Sequence, residues 1–582
     1  MAKLMAGQAL AQVLVNWDID HIYGIPADSI NNTVEGFWRE RENLKYIQVR
    51  HEEAGALAAA ADAKLTGKIG AVFGSAGPGA THLLNGLYDA KMDRVPLLAI
   101  VGQTSTELMN TNYFQELNED PIFADVALYH KTITNAAQIP YVIDQAIRAA
   151  YEGKGVAVVI VPDNLSAQEI EYTPAKTAAK HIYDEKLTVN ADSVAEFNKL
   201  VADAKRPVLW IGKGLMSARK EVIEFSEKFS IPVVNTVPAV GIIPDDHPSA
   251  MGARGRLGTK PAFEVTQDAD LIILAGTNYP FSRYLPGDKT LIQINNNMAD
   301  LGKQSDIDYA FLADAQLFLR AAIAAGDKVE TTNWLKAAQA DMVNWNTWMD
   351  AIADDESKGL SAEAVLREMR NHAGDDDVFT LDVGNNTAWG VRAAKMNANQ
   401  KLSLSEWFAT MGYSLPAGIA AKLSFPDSQV WSVSGDGGFA MNMQDLLTEV
   451  KYSLPVVNIV LENKQLGFIL HEKIALGQEP YGIDLIGADW AKYAESMGAL
   501  GFTVTSIAEA KDVFNKVAEL QANGNTKPVV IDAKIKDENP IDVAFVPVDP
   551  AKFDAETIAN YKAEYNVFGQ PALSEILADL EK

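Results

Sequence analysis

The sequence predicts an α/β protein built from three consecutive doubly wound parallel-sheet domains. Short apolar runs recur along the chain, most of them emptying into loops rich in Gly, Asn or Pro, and helix-compatible stretches separate them. Strands that alternate with helices in this way assemble into parallel sheets covered on both faces. At 582 residues the chain has room for three or four domains at about 150 residues each.

The first domain is placed at residues 1–182. His21-Ile-Tyr-Gly-Ile-Pro26 is a strand running into a Gly/Pro loop, and Leu44–Val49 is a second, followed by Arg50-His51-Glu52-Glu53 and the helix-forming Ala54–Leu65. Gly70–Phe73 leads into Gly74-Ser75-Ala76-Gly77-Pro78-Gly79, Pro96–Val101 into Gly102, and Val156–Val161 completes the set. A polar stretch with scattered Pro and Lys, about 163–190, reads as a linker.

The middle domain is placed at 183–332, with strands at Pro207–Ile211, Ile231–Asn235, Leu271–Ala275 and Leu291–Ile294. Three of them end in Gly212-Lys213-Gly214, Gly276-Thr277-Asn278 and Asn295-Asn296-Asn297. A Trp-rich helical bridge, Asn333–Asp350, opens the last domain at 333–582. That domain holds a strand at Val378–Asp382, a helix-like run around Met411, and strands at Gln429–Ser434 and Val456–Leu461.

Charge and composition exclude several classes. With 50 basic against 77 acidic residues the net charge is −27, which disfavours nucleic acid or an anionic membrane as partner. Cysteine is absent, so there is no disulfide, thiolate metal site or thiol nucleophile. Gln8, Gln12, Asn16 and Asp18 break up any signal-peptide core. The longest apolar runs fall well short of the ~20 residues that span a bilayer. The end of the chain, Pro571–Lys582, suits a short amphipathic helix whose acidic face (Glu575, Asp579, Glu581) argues against a membrane surface. A cytoplasmic protein is expected.

The densest chemistry lies between Gly435 and Gln465. One strand empties into Gly435-Asp436-Gly437-Gly438, a helix-compatible stretch follows, and the next strand ends in Glu462-Asn463-Lys464-Gln465. Glycines after a strand let backbone N–H groups approach a diphosphate. Asp436 and Asn463 are hard oxygen donors of the kind Mg²⁺ prefers. Neighbouring parallel strands would bring both to one carboxyl edge. Gly-Asp-Gly alone also makes ordinary turns; the 27-residue spacing to Asn463 with the strand–helix–strand pattern intact is what gives it meaning. Glu52 stands where a strand ends and a helix begins, although a first-turn acid also simply suits the helix dipole.

Taken together, Arg50-His51-Glu52-Glu53, Gly74–Gly79, Ala409-Thr410-Met411-Gly412 and the Gly-Asp-Gly-Gly motif with Asn463 resemble the pyruvate-oxidase branch of the thiamine-diphosphate enzymes over essentially the whole chain. The resemblance implies pyrimidine-binding, FAD-binding and diphosphate-binding domains in that order. It implies thiamine diphosphate, Mg²⁺ and FAD as cofactors. It also implies a homodimer, commonly paired into a homotetramer, in which one subunit's front domain meets another's rear domain.

Residue by residue, the resemblance assigns Glu52 to the cofactor's aminopyrimidine and Met411 to propping its bent form. Asp436, Asn463 and the Gln465 carbonyl would hold the metal, and Gly384, Asn385, Gly435, Gly437 and Gly438 the diphosphate. Phe468 would lie between thiamine and flavin with Ile469 beside it, Phe114 near the flavin, and Glu472 near the substrate. Ser29, Gln115 and Arg256 would bind phosphate. Gly212, Gly214, Arg254, Gly276, Asn278, Asn295 and Asp314 would contact the flavin.

Two departures stand out. Asp28 puts a carboxylate before Ser29, and Asn295-Asn296-Asn297 replaces the family's acid-rich Ile-Asp-Ile-Asp. The expected reaction takes pyruvate, phosphate and O₂ to acetyl phosphate, CO₂ and H₂O₂. The alternatives are a quinone-dependent pyruvate dehydrogenase, a non-oxidative decarboxylase, an acetolactate-forming carboligase, and a catalytically silent nucleotide-binding scaffold.

Overall fold

Strand β1 (Ala2–Met5) pairs antiparallel with β8 (Glu169–Tyr172), and between them runs the first parallel sheet. It comprises β2 (His21–Gly24), β3 (Lys45–Gln48), β4 (Gly70–Gly74), β5 (Leu97–Gln103), β6 (Ala127–Thr132) and β7 (Val156–Pro162), in the order β3-β2-β4-β5-β7-β6. The computed structural model describes residues 2–174, 189–279, 281–282, 285–397, 399–540, 554–556, 559 and 570–582.

The middle sheet contains β9 (Pro207–Ile211), β10 (Val233–Asn235), β11 (Ala250–Ala253), β12 (Leu271–Ala275), β13 (Thr290–Asn295) and β14 (Tyr309–Leu312), ordered β11-β10-β9-β12-β13-β14. The last contains β15 (Val378–Leu381), β16 (Lys401–Leu404), β17 (Val430–Gly435), β18 (Val457–Glu462), β19 (Leu500–Val504) and β20 (Val529–Lys534), ordered β16-β15-β17-β18-β20-β19. Three six-stranded parallel sheets bear out the predicted fold class. The outer two share one strand order, whereas the middle one runs 3-2-1-4-5-6, the dinucleotide-binding order.

The stretch expected to be a linker is structured where it is described. Asp163–Ser166 forms a turn of helix and Glu169–Tyr172 is β8. Its alternating burial, with Ile170 and Tyr172 inside, is the signature of a half-covered strand. Positions 175–188 of that expected linker lie outside the described residues.

The first and last domains share one core. Helix Glu52–Thr66 is capped by His51, whose ring accepts the Glu53 N–H, and it ends on Gly67 in the left-handed region (φ 71°). Its Ala56–Ala61 run is wholly buried, and these small side chains let it lie against helix Ser414–Ser424 of the last domain. The C-terminal helix Leu573–Leu580 buries Leu573 and Leu577 beside Trp334, Ala337 and Ala338 of helix Asn333–Asp354. The chain thus covers that helix's apolar side itself. Among the described residues, no helix is long and apolar enough to cross a membrane.

A buried ionic cluster fixes the domain junction. Lys64 Nζ lies 2.7 Å from Asp89 and 2.6 Å from Asp93, donates to the Leu404 carbonyl at 2.9 Å, and sits over the Tyr413 ring. Ser405 donates to Asp89, and the N–H groups of Glu406 and Trp407 donate to Asp93. Removing the cation would leave two buried carboxylates facing each other. Lys64→Met should therefore cost about 3–5 kcal/mol of stability, read from denaturant unfolding; a loss below 1 kcal/mol would show that the cluster is dispensable.

Candidate active site

Strands β17 and β18 are direct parallel neighbours, with Gly435 opposite Leu461. Asp436, the first residue of helix Asp436–Asn442, and Asn463 therefore leave the sheet side by side. Asp436 is buried; its Oδ1 accepts the Gly437 N–H at 3.0 Å and its Oδ2 the Lys464 N–H at 2.9 Å. Asn463 Oδ1 accepts the Gln465 N–H at 3.3 Å. The Gln465 side chain turns to Asp537 at 2.9 Å, which leaves its backbone carbonyl as the group to consider. A carboxylate, an amide oxygen and a carbonyl make an all-oxygen donor set, which fits a small hard cation.

At two positions of the surrounding backbone a side chain has no room. A Cβ on Gly467 would stand 2.4 Å from Asn385 Nδ2, and one on Gly438 only 2.6 Å from Asp382 Oδ1. Gly384 (φ 141°) turns the chain from β15 into helix Asn385–Ala393, whose first residue donates to Asn539 at 2.7 Å. These positions form a cradle where backbone amides can reach a diphosphate, at the switch point between β15 and β17.

Met411 lies in a turn before helix Ser414–Ser424, not in the helix-like run expected from its apolar neighbours. The turn is held from below by Asp382, which accepts the N–H groups of Gly412 and Ser414 at 3.0 Å each. Gly412 has φ 82°, so Thr410-Met411-Gly412 cannot continue a helix. Met411 Cε lies 3.3 Å from where a Gly437 Cβ would be, which places Met411 over the glycine motif.

The middle-sheet residues gather at their own switch point. The Gly212 N–H bonds the Ala275 carbonyl, the Gly214 N–H bonds the Gly276 carbonyl, and a Cβ on Gly212 would sit 2.4 Å from Thr277 Cβ. Arg254 is buried, with Nε donating to Thr266 and its guanidinium over Phe263. Asn278 donates to Asp300, Asn295 to the Thr277 carbonyl, and Asp314 caps helix Ala315–Ala325. One cavity of about 1800 Å³ is lined by Gly214, Arg254, Gly276, Asn278, Asn295 and Asp314, though not by Gly212, and continues to Gly384, Met411, Asp436, Asn463 and Phe468. In its lining, Arg256 bonds Glu472 at 2.8 Å and lies 4.3 Å from the centre of the Phe468 ring. Ile469 is 43% exposed, so its side chain is free to meet a ligand or another chain.

The front-domain set stands apart. Glu52, Ser29, Phe114 and Gln115 do not line that cavity. Glu52 is buried at the head of its helix, 2.9 Å from His82 Nδ1. Ser29 accepts the Ala76 N–H, leaving its hydroxyl proton available, and Gln115 (φ 61°) backs onto Gly77. Asp28 accepts the N–H of Ser29. Phe114 is 72% exposed. Sequence reasoning missed Asp382, His82 and the Arg94–Asp300 pair; a buried acid or an isolated histidine carries no spacing signal of its own.

Three family descriptions match in order: the thiamine pyrophosphate enzyme N-terminal binding domain over residues 4–122, its central domain over 194–322, and its C-terminal binding domain over 382–533. The chain is 40% identical over 580 residues to YdaP of Bacillus subtilis, described only as thiamine pyrophosphate-containing, with 100% of both chains covered. It is 41% identical over 583 residues to pyruvate oxidase of Lactiplantibacillus plantarum, covering 99% of this chain and 96% of that one. To the acetolactate synthase large subunit of Corynebacterium glutamicum it is 27% identical, with 91% and 86% covered.

Burial pushes the Asp436 carboxyl up to about 6, with Glu462 adding to the shift. Below that pH the group is protonated and cannot hold a cation. Mg²⁺-supported binding of thiamine diphosphate should thus weaken as pH falls through 6, approaching about tenfold per unit. Calorimetric titration at pH 5 and 7 measures it; equal affinities would remove Asp436 from the metal site.

Proposed function

Since the chain belongs to the thiamine pyrophosphate enzymes, we propose that it is a cytoplasmic, flavin-dependent pyruvate oxidase. Pyruvate, phosphate, O₂ and a proton would give acetyl phosphate, CO₂ and H₂O₂. The observation that carries this reading is the single cavity joining the dinucleotide-type edge of the middle sheet to the cation clamp of the last one. A carboligase needs only the second; an oxidase needs a redox partner within reach of the first. The 41% identical relative is itself named pyruvate oxidase.

When bound, thiamine diphosphate supplies the electron sink for decarboxylation and FAD the two-electron acceptor. The chain's own residues bind and orient. Asp436, Asn463 and the Gln465 carbonyl hold Mg²⁺, and the glycines at 384, 435, 437 and 438, with Asn385, admit the diphosphate. Met411 fills the space over Gly437. Glu52 holds a proton against the aminopyrimidine nitrogen. Phe468 separates the two cofactor regions, and Arg256, steadied by Glu472, meets the phosphate anion together with the Ser29 hydroxyl and the Gln115 amide. Asp28 is kept off that anion by its bond to the Ser29 N–H.

Because Glu52, Ser29, Phe114 and Gln115 stand outside the chain's own cavity, the site is completed by a second copy, in a homodimer that pairs into a homotetramer. Exposed apolar groups mark the two faces that would meet: Tyr113 and Phe114 on the front domain, and Ile469, Ile474, Leu476 and Tyr481 on the rear.

The purified protein should show a flavin spectrum that pyruvate bleaches without air, and in air should make peroxide and acetyl phosphate only when phosphate is supplied. Acetolactate as the product, with no bleaching, would replace this reading by the carboligase one. Glu52→Gln should melt like the parent and turn over about 10²-fold more slowly or worse; near-parental turnover would take Glu52 out of the chemistry.

A further inference from the structure

Glu52 opens its helix with one carboxyl oxygen engaged and the other open. His82, at the end of the short helix Pro78–His82, places Nδ1 2.9 Å from Glu52 Oε2. Oε1 faces Gly79, where a Cβ would come within 3.2 Å of it, and among the described residues no side chain donates to it. The His82 ring is held in turn: it stacks on His51 with centroids 4.4 Å apart and planes 28° apart. His51 cannot swing freely, because its Nδ1 accepts the Glu53 N–H that caps the helix.

A carboxyl that gives up or takes back one proton has to present that proton on a defined oxygen. The terminal carboxyl torsion is broad and nearly two-fold, so nothing within Glu52 itself distinguishes Oε1 from Oε2. We infer that His82 is a positioning residue which, by donating Nδ1–H to Oε2, confines the reactive proton of Glu52 to Oε1, the oxygen open toward the Gly79 loop. This rests on the reading of Glu52 as the residue that serves the aminopyrimidine. His82 touches neither cofactor nor substrate in this scheme; it acts through Glu52 alone.

The distinction to test is a hydrogen-bond donor against mere bulk. Asparagine at 82 can offer an amide N–H close to the place of Nδ1, aspartate of the same size offers none, and leucine fills space without polarity. His82→Leu should lower kcat at least about tenfold, a part of what positioned acid–base catalysis supplies. The KM for pyruvate and the affinity for Mg²⁺ and thiamine diphosphate, set at the other end of the cofactor, should stay within about threefold. His82→Asn should restore kcat to within about threefold of the parent. Should His82→Leu not fold, His82→Asp takes its place and should be slow where His82→Asn is fast. Equal impairment of His82→Asn and the donor-free variants, or parental kcat in all of them, would overturn the inference. Glu52→Gln run alongside separates the two levels: full turnover there defeats the reading of Glu52 itself, whereas a slow Glu52→Gln with indifferent His82 variants defeats only the role of His82.

Discussion

Asp382 is the constraint on which the rear half of the site depends. It is a fully buried carboxylate at the end of β15, and burial alone pushes its pKa up. What keeps such a group in place is donors: the N–H groups of Val383, Gly412 and Ser414 and the Ser414 hydroxyl all converge on its two oxygens. These bonds tie the 412–414 turn to the end of β15, 30 residues earlier in the chain. The Gly384–Asn385 loop begins beside it, the Met411 turn is pinned by it, and the glycine motif passes so close that Gly438 must lack a side chain. The Gly384 loop, the Met411 turn and the glycine motif are therefore placed by one buried carboxyl group that does not itself line the cavity.

The Lys64 cluster performs the corresponding service between domains. Asp89 and Asp93 belong to the front domain, yet their acceptors are filled by Ser405 and by the N–H groups of Glu406 and Trp407 in the last. Glu406 extends the chain of contacts to Lys213, inside the loop after β9 of the middle sheet. Burial pushes the Glu406 carboxyl up to about 7. The segment that carries Met411 is thus fixed simultaneously against the front sheet, the middle sheet and Asp382. Rigid elements hold the site from three directions, the condition under which acid–base and cation groups keep productive geometry.

What was legible in the sequence follows from burial on both faces. Strands interior to the sheets, such as β5, β7 and β12, are largely continuous apolar runs and stand out from their surroundings. Among the overlooked strands, β6, β11, β14, β16 and β19 are sheet edges, and several, such as β14 (Tyr309–Leu312), bury only alternate residues or fewer; β20 (Val529–Lys534) is interior and was missed because Asp532 and Lys534 interrupt its apolar run. The Gly435–Gln465 motif was legible because chain order and space coincide: adjacent parallel strands deliver Asp436 and Asn463 to one edge. His82 and Asp300 were not, because their meaning comes from partners 30 and 206 residues away. Met411 was misplaced for a third reason. Its apolar neighbours suit a helix, but Gly412 in the left-handed region breaks one.

The asparagine triplet shows how a substitution at a site can alter its electrostatics without emptying it. In dinucleotide folds an acid beyond a strand end takes ribose hydroxyls; here β13 ends on Asn295. Its amide is spent locally, accepting the Asn297 N–H at 2.9 Å and donating to the Thr277 carbonyl. Asn297 likewise accepts the Ala299 N–H and donates to Asp300. The negative charge has not vanished from this edge. It stands on Asp300, buried and lining the cavity, where Arg94 from the front domain grips both carboxyl oxygens at 2.5 and 3.0 Å and Asn278 fills a further position. That guanidinium holds the Asp300 carboxyl below its ordinary range. A carboxylate so fully bonded cannot also take a ribose hydroxyl without giving up Arg94, and with it a link between the front and middle domains. A dinucleotide at this edge therefore meets a neutral pair and backbone groups in place of free acids. It would also meet the glycine turns at Gly214 and Gly276 and the side chains of Arg254 and Asp314, which line the same cavity.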